Sequence, residues 1–285
     1  MFALIVATVF SSAFGLVVRH AQLCRRNLWA VGAVNYVVAS AFHVSRWLAM
    51  PEPHPLNTTL YLGILGGVVY SGSFLMLMPL MRARGVSVAS SILRLSVIIP
   101  VGLSVVLWGE HPGPIQTVGA GVAMLSLPLL AYRPSAKTVN GLAPPRNWGA
   151  MALLATLFVG NGLCATVVRA FHQTQVPGQT SLFLGILFGT AALVTTAVWL
   201  AHRQGTRLAD VAHGSALGAC NAIGNLSLVA ALGSLSGVIV FPFHSAVGLV
   251  IVALFARAVW REPLRRHELL GMGMALSATV LINAA

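Results

Sequence analysis

Acidic residues are the scarcest component of this chain: five Asp and Glu stand among 285 residues, and charged residues of both signs make up only 8%. Soluble domains usually carry about a quarter. With 57% hydrophobic residues and a mean hydropathy of +0.86, the composition is that of an all-α membrane protein. Glu52, Glu110, Asp210, Glu262 and Glu268 all fall in connections or at the ends of apolar runs. No carboxylate is therefore expected at the membrane centre; the first apolar run carries Ser11 and Ser12 as polar groups near its middle. The three cysteines, Cys24, Cys164 and Cys220, are odd in number and far apart, which fits neither a metal site nor a disulfide framework. Enzyme motifs are missing too. Residues 267–271 begin His267, Glu268 but place Gly271 where a second zinc-binding histidine would be required, and there is no nucleophile elbow or phosphate loop. No catalytic residue, cofactor or metal is expected.

What is present is apolar length. A span needs about 20 mostly apolar residues, because the hydrocarbon layer is about 30 Å thick and a helix rises about 1.5 Å per residue. Ten such runs occur, at 2–19, 28–48, 59–81, 86–108, 114–132, 148–170, 180–202, 210–232, 235–256 and 268–284. Pro100 and Pro242 lie inside runs and are expected to kink them. The first run lacks a basic start and is followed by Arg19 instead of a small-residue cleavage site, so it reads as helix 1, not as a secretory signal.

The formal charge of +12 suggests nucleic acid until the cations are placed. All 17 Lys and Arg except Arg46, Arg94 and Arg169 fall in the odd-numbered connections: 1–2, 3–4, 5–6, 7–8 and 9–10. Because cytoplasmic loops carry the excess of Lys and Arg, these connections are expected to face the cytoplasm, with both termini outside. The charge is thus a topology signal, with attraction to anionic membrane lipids as a secondary effect and no nucleic-acid partner. The expected location is the cell (inner) membrane, as a multi-pass protein.

Residues 134–146 are the one stretch rich in turn formers and polar groups between two spans, and they divide the chain into units 1–133 and 147–285. The units resemble each other. Trp108, Glu110, Gly119 and Gly121 are echoed by Trp260, Glu262, Gly271 and Gly273, and Val17, Val18, Arg19 by Val167, Val168, Arg169. Five is odd, so a second copy must cross the membrane in the opposite sense; inverted repeats of this kind recur in secondary transporters, with the substrate near the midplane between them.

The segments 107–126 and 259–277 resemble the helix 4 to 5 and helix 9 to 10 signature of the drug/metabolite transporter superfamily, EamA-like branch. The resemblance implies ten helices and transport, but not a substrate, since the superfamily moves amino acids, sugars, nucleotide sugars, drugs and other metabolites. It also implies cytoplasmic termini, the reverse of what the loop charges indicate; the charges are followed here.

Polar residues inside spans are the remaining site candidates. Ser87, Ser90, Ser91 and Arg94 share one helical face. Charged groups within membranes usually face the bundle interior or a water-filled cavity, although a flexible arginine can also snorkel toward the surface. Asn221 and Asn225 share a face of helix 8, Tyr36 lies in helix 2 beside Asn35, and His244 lies in helix 9. Such residues serve either as ligands or as interhelical hydrogen-bonding partners. His244 precedes Glu262 by nearly the interval at which Arg94 precedes Glu110, which would set the two across a central cavity. It is also the available proton carrier if protons are coupled, no buried acid being expected. The expectation is a substrate site of Arg94, Tyr36, Asn221, Asn225 and His244, taking a small anionic or zwitterionic metabolite by alternating access as one half rocks against the other. The alternatives are a lipid-linked carrier translocase and a non-transporting scaffold or accessory subunit. Small residues four apart, among them Gly63 and Gly67, Gly214 and Gly218, Gly119 and Ala123, and Gly271 and Ala275, are expected to pack helices together or, in helices 5 and 10, to form a homodimer.

Overall fold

Within hydrocarbon no water satisfies a backbone amide, so apolar runs of this length close their hydrogen bonds internally as helices. In a computed structural model the described residues are 1–49, 57–84, 92–131, 148–174, 178–202, 204–259 and 266–283; the linker 134–146, Ser87, Ser90, Ser91 and the stretch 260–265 lie outside them. The described residues are 90% helical, with no strand: α1 Phe2–Leu23, α2 Leu28–Ala49, α3 Asn57–Arg84, α4 Ile98–Trp108, α5 Pro114–Ala131, α6 Trp148–Gln173, α7 Thr180–His202, α8 Leu208–Leu232, α9 Gly237–Val259 and α10 Arg266–Asn283. Seven of them are long and apolar enough to span, and the apolar parts of α4, α5 and α10 are shorter. This qualifies the expectation of ten full spans: α5 and α10 have 18 residues each, about 27 Å.

The 86–108 run is interrupted. Ile92–Leu95 form a helical turn, Ser96 and Val97 leave the helix, and α4 resumes at Ile98. Pro100 is the cause, because it has no N–H for the carbonyl of Ser96, which is met instead by the Ile99 amide at 3.0 Å. Pro242, by contrast, leaves α9 continuous. Gly109 ends α4 in the left-handed region (φ 59°), where its own amide meets the Val105 carbonyl at 3.1 Å and that of Glu110 meets Ser104 at 3.3 Å.

Consecutive helices run in opposite directions. At one end, the odd face, Asn27 caps α2 through Trp29 and Ala30 and donates its own amide to Asp210 at the start of α8. At the other, the even face, Thr59 bonds Gln179 and Arg46 bonds Ser181. Helices α1, α2, α3, α6, α7 and α8 form one bundle centred on the pairing of α2 with α7; α4, α5, α9 and α10 form a second, with α5 against α10. The bundles meet where α1 touches α9 and α4 touches α6.

Small residues set the closest approaches. A Cβ on Gly67 would stand 2.5 Å from the Leu187 carbonyl of α7, and a Cβ on Gly218 would stand 2.7 Å from the Asn35 carbonyl of α2. Ala123 and Ala275 are buried where α5 packs on α10 within one chain, whereas Gly121 and Gly273 have nothing within 4 Å. Replacement of Gly218 by Val forces side chain against backbone, and overpacking of this kind costs about 1–3 kcal/mol. Gly218→Val should lower the melting temperature of the detergent-solubilised protein clearly, while Gly121→Ala should leave it within error.

Candidate functional site

Between the two bundles lies a cavity of about 340 Å³, lined from α1, α2, α3, α4, α6, α8 and α9. Its wall reaches Arg19 and Gln22 near the odd-face end of α1. Arg94, Tyr36, Asn221, Asn225 and His244 all line it. The structure therefore brings the five sequence-derived candidates to one place, from four different helices or turns.

Arg94 reaches this position by local geometry. It sits on the short turn before the Pro100 break, and its guanidinium lies against α9 at Gly248, where an added Cβ would be 2.9 Å from Nη1. Two residues of α1 hold that stretch of α9. Ser12 Oγ donates to the Gly248 carbonyl at 3.3 Å, and Thr8 Oγ1 lies 3.2 Å from His244 Nδ1. Asn161 of α6 secures the break itself by donating to the Leu93 carbonyl at 2.9 Å and to Ser96 Oγ at 2.6 Å. Among the described residues no carboxylate pairs with Arg94. The cavity thus holds a cationic group in a low-dielectric setting, where an anion is attracted far more strongly than in water.

The amides form a directed chain instead of a set of free ligands. Tyr70 Oη donates to Asn225 Oδ1 at 2.8 Å, Asn225 Nδ2 to Asn221 Oδ1 at 2.8 Å, and Asn221 Nδ2 to the buried Asn35 Oδ1 at 3.3 Å. Asn225 Nδ2 also meets the Asn221 carbonyl at 3.0 Å. Tyr36 Oη donates to the Tyr70 carbonyl at 3.2 Å, while its ring meets Phe74 edge-on and stacks on Phe188. Tyr36, Asn221 and Asn225 are accordingly both wall residues and interhelical ties. Of the cysteines, Cys164 and Cys220 line the cavity, and Cys24 is exposed at the odd face.

Tyr70, Asn161, Gly248 and Thr8 were not singled out from the sequence. The pairing of Thr8 with His244 spans 236 positions, and Gly248 matters only because an arginine of another helix leans on it, so neither carries a local signal.

A chain of long helices around one central cleft defines a multi-pass α-helical membrane protein. Residues 1–132 match the family model described as the EamA-like transporter family, in keeping with the resemblance to the drug/metabolite transporter superfamily; this is a family of transporters, not of enzymes. A solved structure described as "Crystal structure of protein" is 14% identical, with a TM-score of 0.73 over 99% of this chain and 96% of its own, a likeness in fold. No curated protein matches the chain.

Tyr70→Phe should remove the donor at the head of the amide chain and leave Asn225 Oδ1 short of a partner, at a cost of about 1–2 kcal/mol. Thermal unfolding in detergent checks it: the variant should melt several degrees below wild type, and an unchanged melting temperature would exclude a structural role for the chain.

Proposed function

We propose that this protein is a secondary active or facilitative transporter that moves a small polar anionic or zwitterionic metabolite by alternating access, with Arg94 binding the anionic group. The observation that carries the reading is the guanidinium of Arg94 lining a cavity inside the membrane with no carboxylate beside it among the described residues. The guanidinium presents a rigid fork of donors that matches a carboxylate or phosphate. Asn221, Asn225, Tyr36 and His244 surround the remainder of the substrate, the polar groups fixing its orientation and the aromatic ring of Tyr36 covering it.

The chain is read as two inverted five-helix repeats, 1–133 and 147–285, joined by the 134–146 linker. Support comes from the pairing pattern: α2 meets α7 and α5 meets α10, while α1 on α8 is matched by α6 on α3, and α2 on α8 by α7 on α3. The same correspondence takes Gly63 and Gly67, packed on α7, to Gly214 and Gly218, packed on α2. It takes the Asn27 and Asp210 contact at the odd face to that of Gln179 and Thr59 at the even face. The moving parts differ from the two halves anticipated from sequence. Because each bundle contains helices of both halves, alternating access is proposed as a rocking of the α4, α5, α9, α10 bundle against the other six helices. The odd face is placed in the cytoplasm on the strength of its Lys and Arg. A homodimer through α5 and α10 would use their outer faces at Gly121 and Gly273, since Ala123 and Ala275 are already covered.

Arg94→Leu should reduce uptake of the transported anion into proteoliposomes by at least about a hundredfold, the loss of one charge-assisted contact in a dry site. Arg94→Lys should keep partial uptake. Protein yield and melting temperature should stay near wild type, and undiminished uptake by Arg94→Leu would refute the site.

A further inference from the structure

Outside the cavity, a buried ion pair lies at the even face among the described residues. Glu110 and Arg169 form an ion pair with side chains only 7% exposed each. The second carboxylate oxygen of Glu110 accepts the backbone amide of Val238 at 3.1 Å, in the first turn of α9. Arg169 Nη1 lies 3.1 Å from His172 Nδ1, and its guanidinium carbon stands 6.0 Å from the centre of the Trp108 ring. Glu110 is carried beneath this layer by the left-handed turn at Gly109.

We propose that Glu110, Arg169 and the Val238 amide are the closed even-face gate of the transporter, a latch between the two bundles that must part before the cavity can open on that side. The proposal rests on the transport reading. Arg169 belongs to α6 of the six-helix bundle, whereas Glu110 follows α4 and Val238 starts α9, both of the four-helix bundle. The cluster therefore ties together the two bodies whose separation would open the even face. The cavity wall extends to Arg19 and Gln22 at the odd face but includes none of the latch residues.

The same layer is poised to open. Ser104 Oγ, Ser236 Oγ and Arg169 Nε are buried without a hydrogen-bond partner among the described residues. Ser104 faces the junction directly, since a Cβ on Gly237 would stand 2.5 Å from its hydroxyl. A buried network left partly unsatisfied is costly, and water entering on opening would satisfy all three groups. A strong ion pair holds the face shut while its unpaired neighbours favour the wet, open form. That combination suits a contact that is made and broken in each cycle.

Cys220, on the cavity wall, reports the state of the gate. The full chain is reconstituted in liposomes of one orientation, a membrane-impermeant sulfonated maleimide is applied to either face, and modification of Cys220 is read by mass spectrometry. In Glu110→Gln, modification from the even face should rise about tenfold or more over wild type while modification from the odd face does not rise. The charge reversal Glu110→Arg with Arg169→Glu should bring it back toward the wild-type value. If Glu110→Gln does not accumulate, Glu110→Asp, which keeps the charge but shortens its reach, should give a rise of several fold. No rise in the variant measured, or an equal rise from both faces, overturns the latch. Uptake of labelled succinate, glutamate and glucose 6-phosphate by the same liposomes separates the two ideas. Uptake lost in Arg94→Leu together with unmoved even-face labelling removes the latch alone, whereas no uptake of any probe and no labelling shift removes the transport reading with it.

Discussion

Helices in lipid gain nothing by leaving the solvent for one another, because the surrounding chains are as apolar as their own side chains. What remains is close contact between backbones, and this fold depends on it along two seams. Gly63 and Gly67 bring α3 against the carbonyls of α7, and Gly214 and Gly218 bring α8 against those of α2. These seams fix α2, α3, α7 and α8 as a frame. Once the frame is set, α1 and α6 lie on its flanks, and the second bundle can close the cavity only from the side where α1 and α6 present their inner surfaces.

Polarity is then concentrated where the frame leaves space. The amide chain from Tyr70 to Asn35 knits α3, α8 and α2 together, so one wall of the cavity is rigid and its donors and acceptors are largely committed. The opposing wall is built differently. The Pro100 break leaves a short turn bearing Arg94, held by Asn161 from α6 and resting on Gly248 of α9. The cation is thus mounted on the less regular of the two walls, across the boundary between the bundles, where a change in their separation alters its surroundings directly.

The spans were legible because hydropathy over about 20 residues is a long signal: the run at 180–202 coincides with α7, and 28–48 ends one residue before α2 does. The break in α4 was not, since a proline in an apolar run specifies a disturbance but not whether the helix bends, as α9 tolerates, or parts, as at Ser96 and Val97. Arg94, Tyr36, Asn221, Asn225 and His244 could be picked out as polar groups in apolar surroundings. Tyr70 and Asn161 belong to the same chemical class and were passed over because nothing local distinguished them. Glu110 reads as part of a repeated signature in a connection and not as a buried charge, because its side chain is covered only where the turn at Gly109 carries it to Arg169 from the other half of the chain.

The way the helices are shared between the bundles bears on how the protein is made. Among the described residues, the most extensive pairings of the first five helices are with helices of the second five, although Tyr36 of α2 also meets Tyr70 and Phe74 of α3. As synthesis proceeds, α1 to α5 enter the bilayer before most of their eventual neighbours, and the glycine faces of α3 wait there without the helix they pack on. The N-terminal half therefore completes little of its packing by itself. Most of the packing is completed only when α6 to α8 arrive, so the order of synthesis leaves the glycine faces of the first half in contact with lipid before they meet a partner helix.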